Sequence, residues 1–126
     1  MRLLSDGPRA RFAVGKIDSN GAFYDYGAKY RGENSPSVSS SFVDAVAAEK
    51  IINYSRELSL YIGLKYLSRI DFFVTKDGDV YFNEINVFPG MTKTSLYPAL
   101  TESMGFGRGE FIMRLIRAVR DNDRGV

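Results

Sequence analysis

Cysteine and histidine are both missing from this 126-residue chain. Without cysteine there is no disulfide framework and no thiolate metal site. Without histidine, zinc loses its usual nitrogen ligand and acid–base chemistry through imidazole is excluded. Any bound metal must be held by oxygen, which favours magnesium, calcium or manganese. Excess charge is also scarce: 17 basic and 15 acidic residues leave a net charge of +2, whereas a nucleic-acid binder should show a basic stripe. No stretch approaches the ~20 apolar residues of a membrane span, and the N-terminus lacks the apolar core of a signal peptide. These absences make a cytoplasmic protein the expectation, with neither nucleic acid nor membrane as a partner.

What remains is an ordinary globular composition, 44% hydrophobic and 25% charged, on a chain long enough for one modest core. Residues 11–17 read as a strand, followed by the turn Asp18-Ser19-Asn20-Gly21 and an aromatic strand over 22–30, together a hairpin. Residues 31–41, with Gly32, Pro36 and five serines, have no periodicity and read as a loop. A long helix should follow, capped by Ser40 or Ser41 and closed by Gly63. Its apolar face is Ala47, Ile51, Tyr54, Leu58 and Tyr61, spaced by fours and threes. Two strands over 69–75 and 80–86 then flank Lys76-Asp77-Gly78-Asp79, whose Asp-Gly pair is a strong hairpin signal. Pro89-Gly90 ends the second strand. Thr94 or Ser95 caps a short helix with Pro98 in its first turn, and a last helix over 110–120 carries Ile112, Leu115, Ile116 and Val119 on one side. The order of elements is α+β.

The second hairpin carries the chemistry. A two- or four-residue loop places Asp71 opposite Glu84 and Arg69 opposite Asn86, all on one face, because residues two apart in a strand point the same way. Directly opposed carboxylates repel unless something positive lies between them. A divalent cation would serve, with Asn86 adding a neutral oxygen. So would solvent, or pairing with Arg69 and a neighbouring lysine. On this reading Ile70, Phe72, Val74, Tyr81 and Ile85 occupy the other face and bury against helices. Beyond the hairpin, Gly90 permits close backbone approach to a ligand. The helix start at Thr94-Ser95-Leu96 offers N–H groups and a dipole suited to an anion, or simply a cap. Lys29, at the end of the aromatic strand, is a compact charge that can meet a phosphate.

Two blocks of sequence resemble the D-alanine–D-alanine ligases, ATP-grasp enzymes of bacterial cell-wall synthesis. One is Phe23-Tyr24-Asp25-Tyr26-Gly27-Ala28-Lys29-Tyr30. The other runs from Arg69-Ile70-Asp71-Phe72-Phe73 to Asn83-Glu84-Ile85-Asn86, then through Pro89-Gly90-Met91-Thr92 to Ser95-Leu96-Tyr97-Pro98. The resemblance implies that ATP phosphorylates one D-alanine carboxylate and a second D-alanine amine attacks the acyl phosphate. It implies Asp71, Glu84 and Asn86 as ligands of two magnesium ions, with manganese a possible substitute, and ATP as co-substrate. Arg69 would stabilise the transferring phosphoryl group and the oxyanion, assisted by the Gly90 N–H. Ser95 and Leu96 would hold the second D-alanine carboxylate. Lys29 would contact ATP phosphates, and Tyr30 would belong to a loop closing over the site, where a tyrosine goes with the alanine-adding enzymes.

Three features depart from the family pattern: Gly27 and Lys16 stand where glutamate is usual, and the stretch after Asn34 is rich in serine. The family's chains are much longer. By this comparison residues 1–126 form a single partial domain, the C-terminal part of an ATP-grasp domain, without the N-terminal domain and the first ATP-grasp half. The family is typically homodimeric through parts largely outside this chain. Little ligase activity is expected of the chain alone. The alternatives are a non-catalytic magnesium- or nucleotide-binding remnant, a half that pairs with another chain, or an ATP-grasp ligase of different substrate.

Overall fold

The structure is a computed structural model that describes residues 2–3, 11–17, 38–39, 44–92 and 95–123, with backbone alone at 2–3, 38–39 and 122–123. In chain order the elements are β1 (Arg2–Leu3), β2 (Arg11–Phe12), β3 (Lys16–Ile17), β4 (Val38–Ser39), α1 (Ala45–Ile62), β5 (Leu67–Val74), β6 (Val80–Asn86), α2 (Leu96–Ser103) and α3 (Arg108–Asp123). Four strands form an antiparallel sheet in the order β2-β1-β5-β6, and β3 pairs separately with β4. This is the α+β arrangement the element order implied. Val38–Ser39, read as loop from composition, is a strand because Lys16 and Ile17 supply its partner. The aromatic strand expected over 22–30 lies outside the described residues.

α1 begins later than the serines suggested. Asp44 is its N-cap, and the carboxylate accepts hydrogen bonds from Val46 N and Ala47 N at 3.0 Å each. An ionised acceptor suits the positive helix start better than a hydroxyl. The helix ends as expected at Gly63, which takes φ +72° and donates its N–H to Ser59 O.

The buried stripe of α1 is not the aromatic one. Ala47, Ile51, Ser55 and Ser59, spaced by fours, face the sheet, while Tyr54 and Tyr61 are exposed. Small side chains let the helix lie close over Ser68 and Ile70 of β5, both buried. Tyr54, Leu58 and Tyr61 instead line an open groove with Phe72, Val80 and Phe82. Lys50 ties α1 to the hairpin tip through a 3.1 Å bond to Gly78 O.

A second core lies between α2 and α3. Tyr97, Leu100, Phe106 and Phe111 form it, with Ala13, Leu67, Met91, Met104, Leu115 and Ala118 packed around. Two guanidinium groups lie over the Phe106 ring, Arg11 at 5.0 Å and Arg114 at 4.6 Å from its centroid. The inward side of α3 is Phe111, Leu115 and Ala118, so of the apolar side expected from the sequence Leu115 packs inward while Ile112, Ile116 and Val119 stand exposed. The rotation follows from Phe111, whose ring packs against Tyr97 at 5.8 Å. Leu67 belongs to this core, two residues before Arg69 on the same strand face. One end of that face is therefore closed by α2 and α3, next to the charged side chains of Arg69 and Asp71.

Candidate active site

β5 and β6 bring Asp71 opposite Glu84 and Arg69 opposite Asn86, the pairing anticipated from the turn. The route to it differs. Val74 pairs with Val80, so the connection has five residues, 75–79, with Thr75 N–H donating to Asp79 O at 2.9 Å. Between Asp71 and Phe72 the register shifts: Asp71 faces Glu84 but Phe72 faces Phe82, leaving Asn83 unpaired as a bulge. The bulge offsets the longer loop and restores the acid pair.

It also exchanges side chains between faces. Phe82 joins Phe72 on the helix side, their rings edge-on at 6.2 Å. Tyr81 pairs with Phe73 and so shares the face of Asp71, rather than the opposite one. Val74, expected to bury, is exposed at the hairpin tip. An asparagine within a strand, where its propensity is low, was the available signal of the bulge.

The positive charge the two acids require is Arg69. Its Nε donates to Asp71 Oδ1 at 2.8 Å and Oδ2 at 3.1 Å, and its Nη2 to Asp71 Oδ2 at 2.9 Å. The same Nη2 reaches Glu84 Oε1 at 3.3 Å. Arg69 and Asp71 are largely shielded, with 14% and 19% of their side chains exposed, against 53% for Glu84. The guanidinium thus grips Asp71 with both branches and touches Glu84 with one. Asn86 Oδ1 accepts the N–H of Phe88 at 3.0 Å, which holds the amide in place as the chain leaves the strand. Its carbonyl oxygen keeps a second lone pair.

After the buried Pro89, the chain folds Gly90 against Ser95. A Cβ at Gly90 would stand 2.9 Å from Ser95 Oγ. That hydroxyl accepts Thr92 N–H at 3.0 Å and bonds Thr92 Oγ1 at 2.7 Å. Ser95 occupies the N-cap position of α2 but makes no side-chain capping bond. Leu96, the first helical residue, is buried. Tyr97 is fully enclosed, and burial pushes its hydroxyl pKa well above the ordinary tyrosine value.

The structure therefore assembles Arg69, Asp71 and Glu84 in one cluster, sets Asn86 across from Arg69, and joins Gly90 to Ser95. Lys29 and Tyr30 lie outside the described residues. Among the described residues no three acidic side chains converge, so the acidic part of the site is a pair. Nor is any helix among them long and apolar enough to cross a membrane.

An antiparallel sheet backed by helices, with an acid pair and arginine on its open face, defines an α+β ATP-grasp fold of the D-alanine–D-alanine ligase type. The family model described as D-ala D-ala ligase C-terminus matches residues 1–117, and the chain belongs to that family. It is 38% identical over 107 residues to D-alanine–D-alanine ligase of Lactococcus lactis subsp. cremoris (strain MG1363), covering 85% of this chain and 31% of that one. It is 37% identical over 119 residues to D-alanine–D-alanine ligase B of Clostridium tetani, 94% of this chain and 33% of that one. Among solved structures it is similar to D-alanyl-alanine synthetase A from Vibrio cholerae, with a TM-score of 0.73 and 30% identity over 92% of this chain and 36% of the other. The chain thus spans about a third of the length of these curated relatives.

Proposed function

We propose that this chain is the phosphate- and metal-handling part of an ATP-dependent carboxylate–amine ligase that joins two D-alanines for peptidoglycan precursor synthesis. The observation that carries the reading is the register of the hairpin, which opposes Asp71 to Glu84 with the Arg69 guanidinium between them. Two carboxylates and an amide oxygen are the hard donors magnesium prefers, with manganese an acceptable substitute. Asp71, Glu84 and Asn86 would hold two such ions. Bound there, they would neutralise negative charge on the ATP phosphates during transfer.

The side chains of the chain itself do the rest. Arg69 offers a planar fork that matches a phosphoryl group and then the oxyanion formed when the amine attacks the acyl phosphate. Gly90 presents its backbone N–H to the same oxyanion; with no Cβ it keeps Ser95 Oγ in place. Ser95 and Leu96, at the start of α2, hold the carboxylate of the second D-alanine where the helix dipole favours it. Lys29 contacts ATP phosphates and Tyr30 closes over them. A homodimer in the cytoplasm is the setting this reading carries with it.

Because the chain spans about a third of its relatives, activity is to be measured on a chimaera. This chain would replace the matching third of the Lactococcus ligase, and phosphate release would be followed with ATP and D-alanine. The expected result is release that needs both substrates and is lost on Glu84→Ala with an unchanged circular-dichroism spectrum. Release that survives Glu84→Ala sinks the assignment of that carboxylate. A second reading is favoured by the same coverage: alone, the chain binds magnesium or nucleotide without turnover, or pairs with another chain that supplies the rest. Calorimetry of the isolated chain with magnesium and ATP tests it: no heat from a chain that circular dichroism shows to be folded removes the binding reading.

A further inference from the structure

The arginine in the site has a consequence for how the site is filled. Both oxygens of Asp71 already accept from Arg69, at 2.8 to 3.1 Å, and the same guanidinium reaches across to Glu84. A cation approaching Asp71 meets a fixed positive charge at hydrogen-bond distance from both of the oxygens it needs. The grip is tight because Arg69 and Asp71 are neighbours on one strand face and both are largely shielded, at 14% and 19% exposure. Charge-assisted bidentate bonds of this kind are among the stronger side-chain contacts. Glu84, at 53% exposure and held by Arg69 through one 3.3 Å contact, is the less committed partner of the guanidinium.

We propose that Arg69 is the built-in counter-cation of the acid pair, so that a divalent cation and the guanidinium compete for Asp71 and the metal loads fully only when an anionic phosphate draws Arg69 away. The proposal rests on the metal reading given above. Its physical basis is exchange of equivalent partners. A phosphate offers the arginine fork the same two-oxygen geometry as Asp71, and release of Asp71 restores the oxygens a hard cation requires. Metal and phosphate then bind with positive coupling, and the coupling is reciprocal. An isolated metal ion finds a half-closed site, whereas an ion arriving with phosphate finds an open one.

The test uses the 126-residue chain with manganese as the probe, free ion being counted by electron paramagnetic resonance. Arg69→Gln should bind manganese about tenfold more tightly than the wild type, a size set by losing a charge-assisted competitor. Arg69→Lys, which keeps charge but loses the fork, should fall between. Phenyl phosphate should tighten manganese binding to the wild type and change Arg69→Gln little. In the wild type, the Arg69 Nε–H resonance should shift on titration with magnesium. Circular dichroism confirms that each variant is folded, and the lysine variant carries the comparison if the glutamine variant is not.

Equal manganese affinity in all three proteins, or weaker binding in Arg69→Gln, overturns the competition while leaving the metal site standing. A wild type whose affinity ignores phenyl phosphate overturns the coupling. If neither the wild type nor Arg69→Gln binds manganese, the metal reading itself fails and the competition falls with it.

Discussion

The two packed regions on either side of β5 are built by different rules. Between α2 and α3, Tyr97, Leu100, Phe106 and Phe111 are buried together, and the buried Thr101 hydroxyl donates to Pro98 O at 2.8 Å. Under α1, by contrast, the buried surface includes Ser55, Ser59 and Ser68, whose hydroxyls find no partner among the described residues. The α2–α3 layer is an aromatic core in which the Thr101 hydroxyl is satisfied, and it anchors the end of the site face at Leu67. The α1 layer trades packing volume for a close helix–sheet approach that supports the hairpin from behind. Stability should therefore be concentrated in the first region, and tolerance to change in the second.

The sharpest way to break that contrast is Phe111→Ala. The ring is 1% exposed and packs against Tyr97, so its loss should cost about 3–5 kcal/mol, the range for deleting a buried aromatic. Urea unfolding should show the midpoint collapse. A loss below about 1 kcal/mol, typical of a surface site, would mean that this region is not the principal core.

Tyr97 makes the same region sensitive to alkali. Its folded pKa lies above the ordinary value of 10.0 because burial disfavours the phenolate. Below pH 10.0 the group is neutral folded and unfolded, so its contribution there is constant. As pH rises past that value the unfolded chain loses the proton while the folded chain keeps it. Stability should then fall by up to about 1.4 kcal/mol per pH unit from this residue. Tyr97→Phe should flatten that part of the profile in denaturant titrations at pH 9 to 11, and an unchanged slope would place the alkaline sensitivity elsewhere.

Gly90→Ala probes the turn that leads from the site into this core. The added Cβ would press on a hydroxyl that is short and held by two contacts to Thr92. Loss of that arrangement should cost about 1 kcal/mol and show as altered Thr92 and Ser95 amide shifts. If those shifts stay put, the close approach is not what requires glycine there.

What could be read from the chain follows the same division between local and distant causes. The acid pair was legible because Asp77-Gly78 is a local turn signal and alternation carries it to Asp71 and Glu84. The bulge at Asn83 was not, since a two- or four-residue loop without a bulge gives the same pairing at those two positions. The alternation therefore puts Tyr81 on the wrong face, while pairing of the acids with Arg69 stands in the sequence only as one alternative beside a cation and solvent. The end of α1 was readable at Gly63, but its start moved to Asp44, a better acceptor than the serines before it. The inward faces of α1 and α3 are legible only in part: Ala47, Ile51 and Leu115 pack inward as the spacing implies, and the other positions differ for one reason. Size decided them through tertiary fit, small residues under the sheet and Phe111 beside Tyr97, while hydrophobicity alone pointed to Tyr54, Tyr61, Ile112 and Ile116. Pairing of β1 with β2 and β5, and of β3 with β4, joins segments distant or very short in sequence and leaves no periodic trace.

The smallest effect has the opposite sign and bears most directly on the contrast. Ser55 is fully buried on the inner stripe of α1, and its hydroxyl has no hydrogen-bond partner among the described residues. Ser55→Ala removes one oxygen, abolishes an unsatisfied polar atom and raises helix propensity. Leaving a buried hydroxyl unpaired costs about 1–3 kcal/mol, part of which is recovered when the group is deleted, less the contacts the oxygen made. A net gain of about 0.5–1 kcal/mol in urea unfolding is expected. The gain should appear with no change in the manganese affinity proposed for the hairpin, because α1 packs on the opposite face of the sheet from Asp71. A loss of stability would show that the hydroxyl is satisfied, and the two regions would then obey the same rule. A gain accompanied by weaker metal binding would instead show that the close seat of α1 on β5 helps set the spacing of the acid pair.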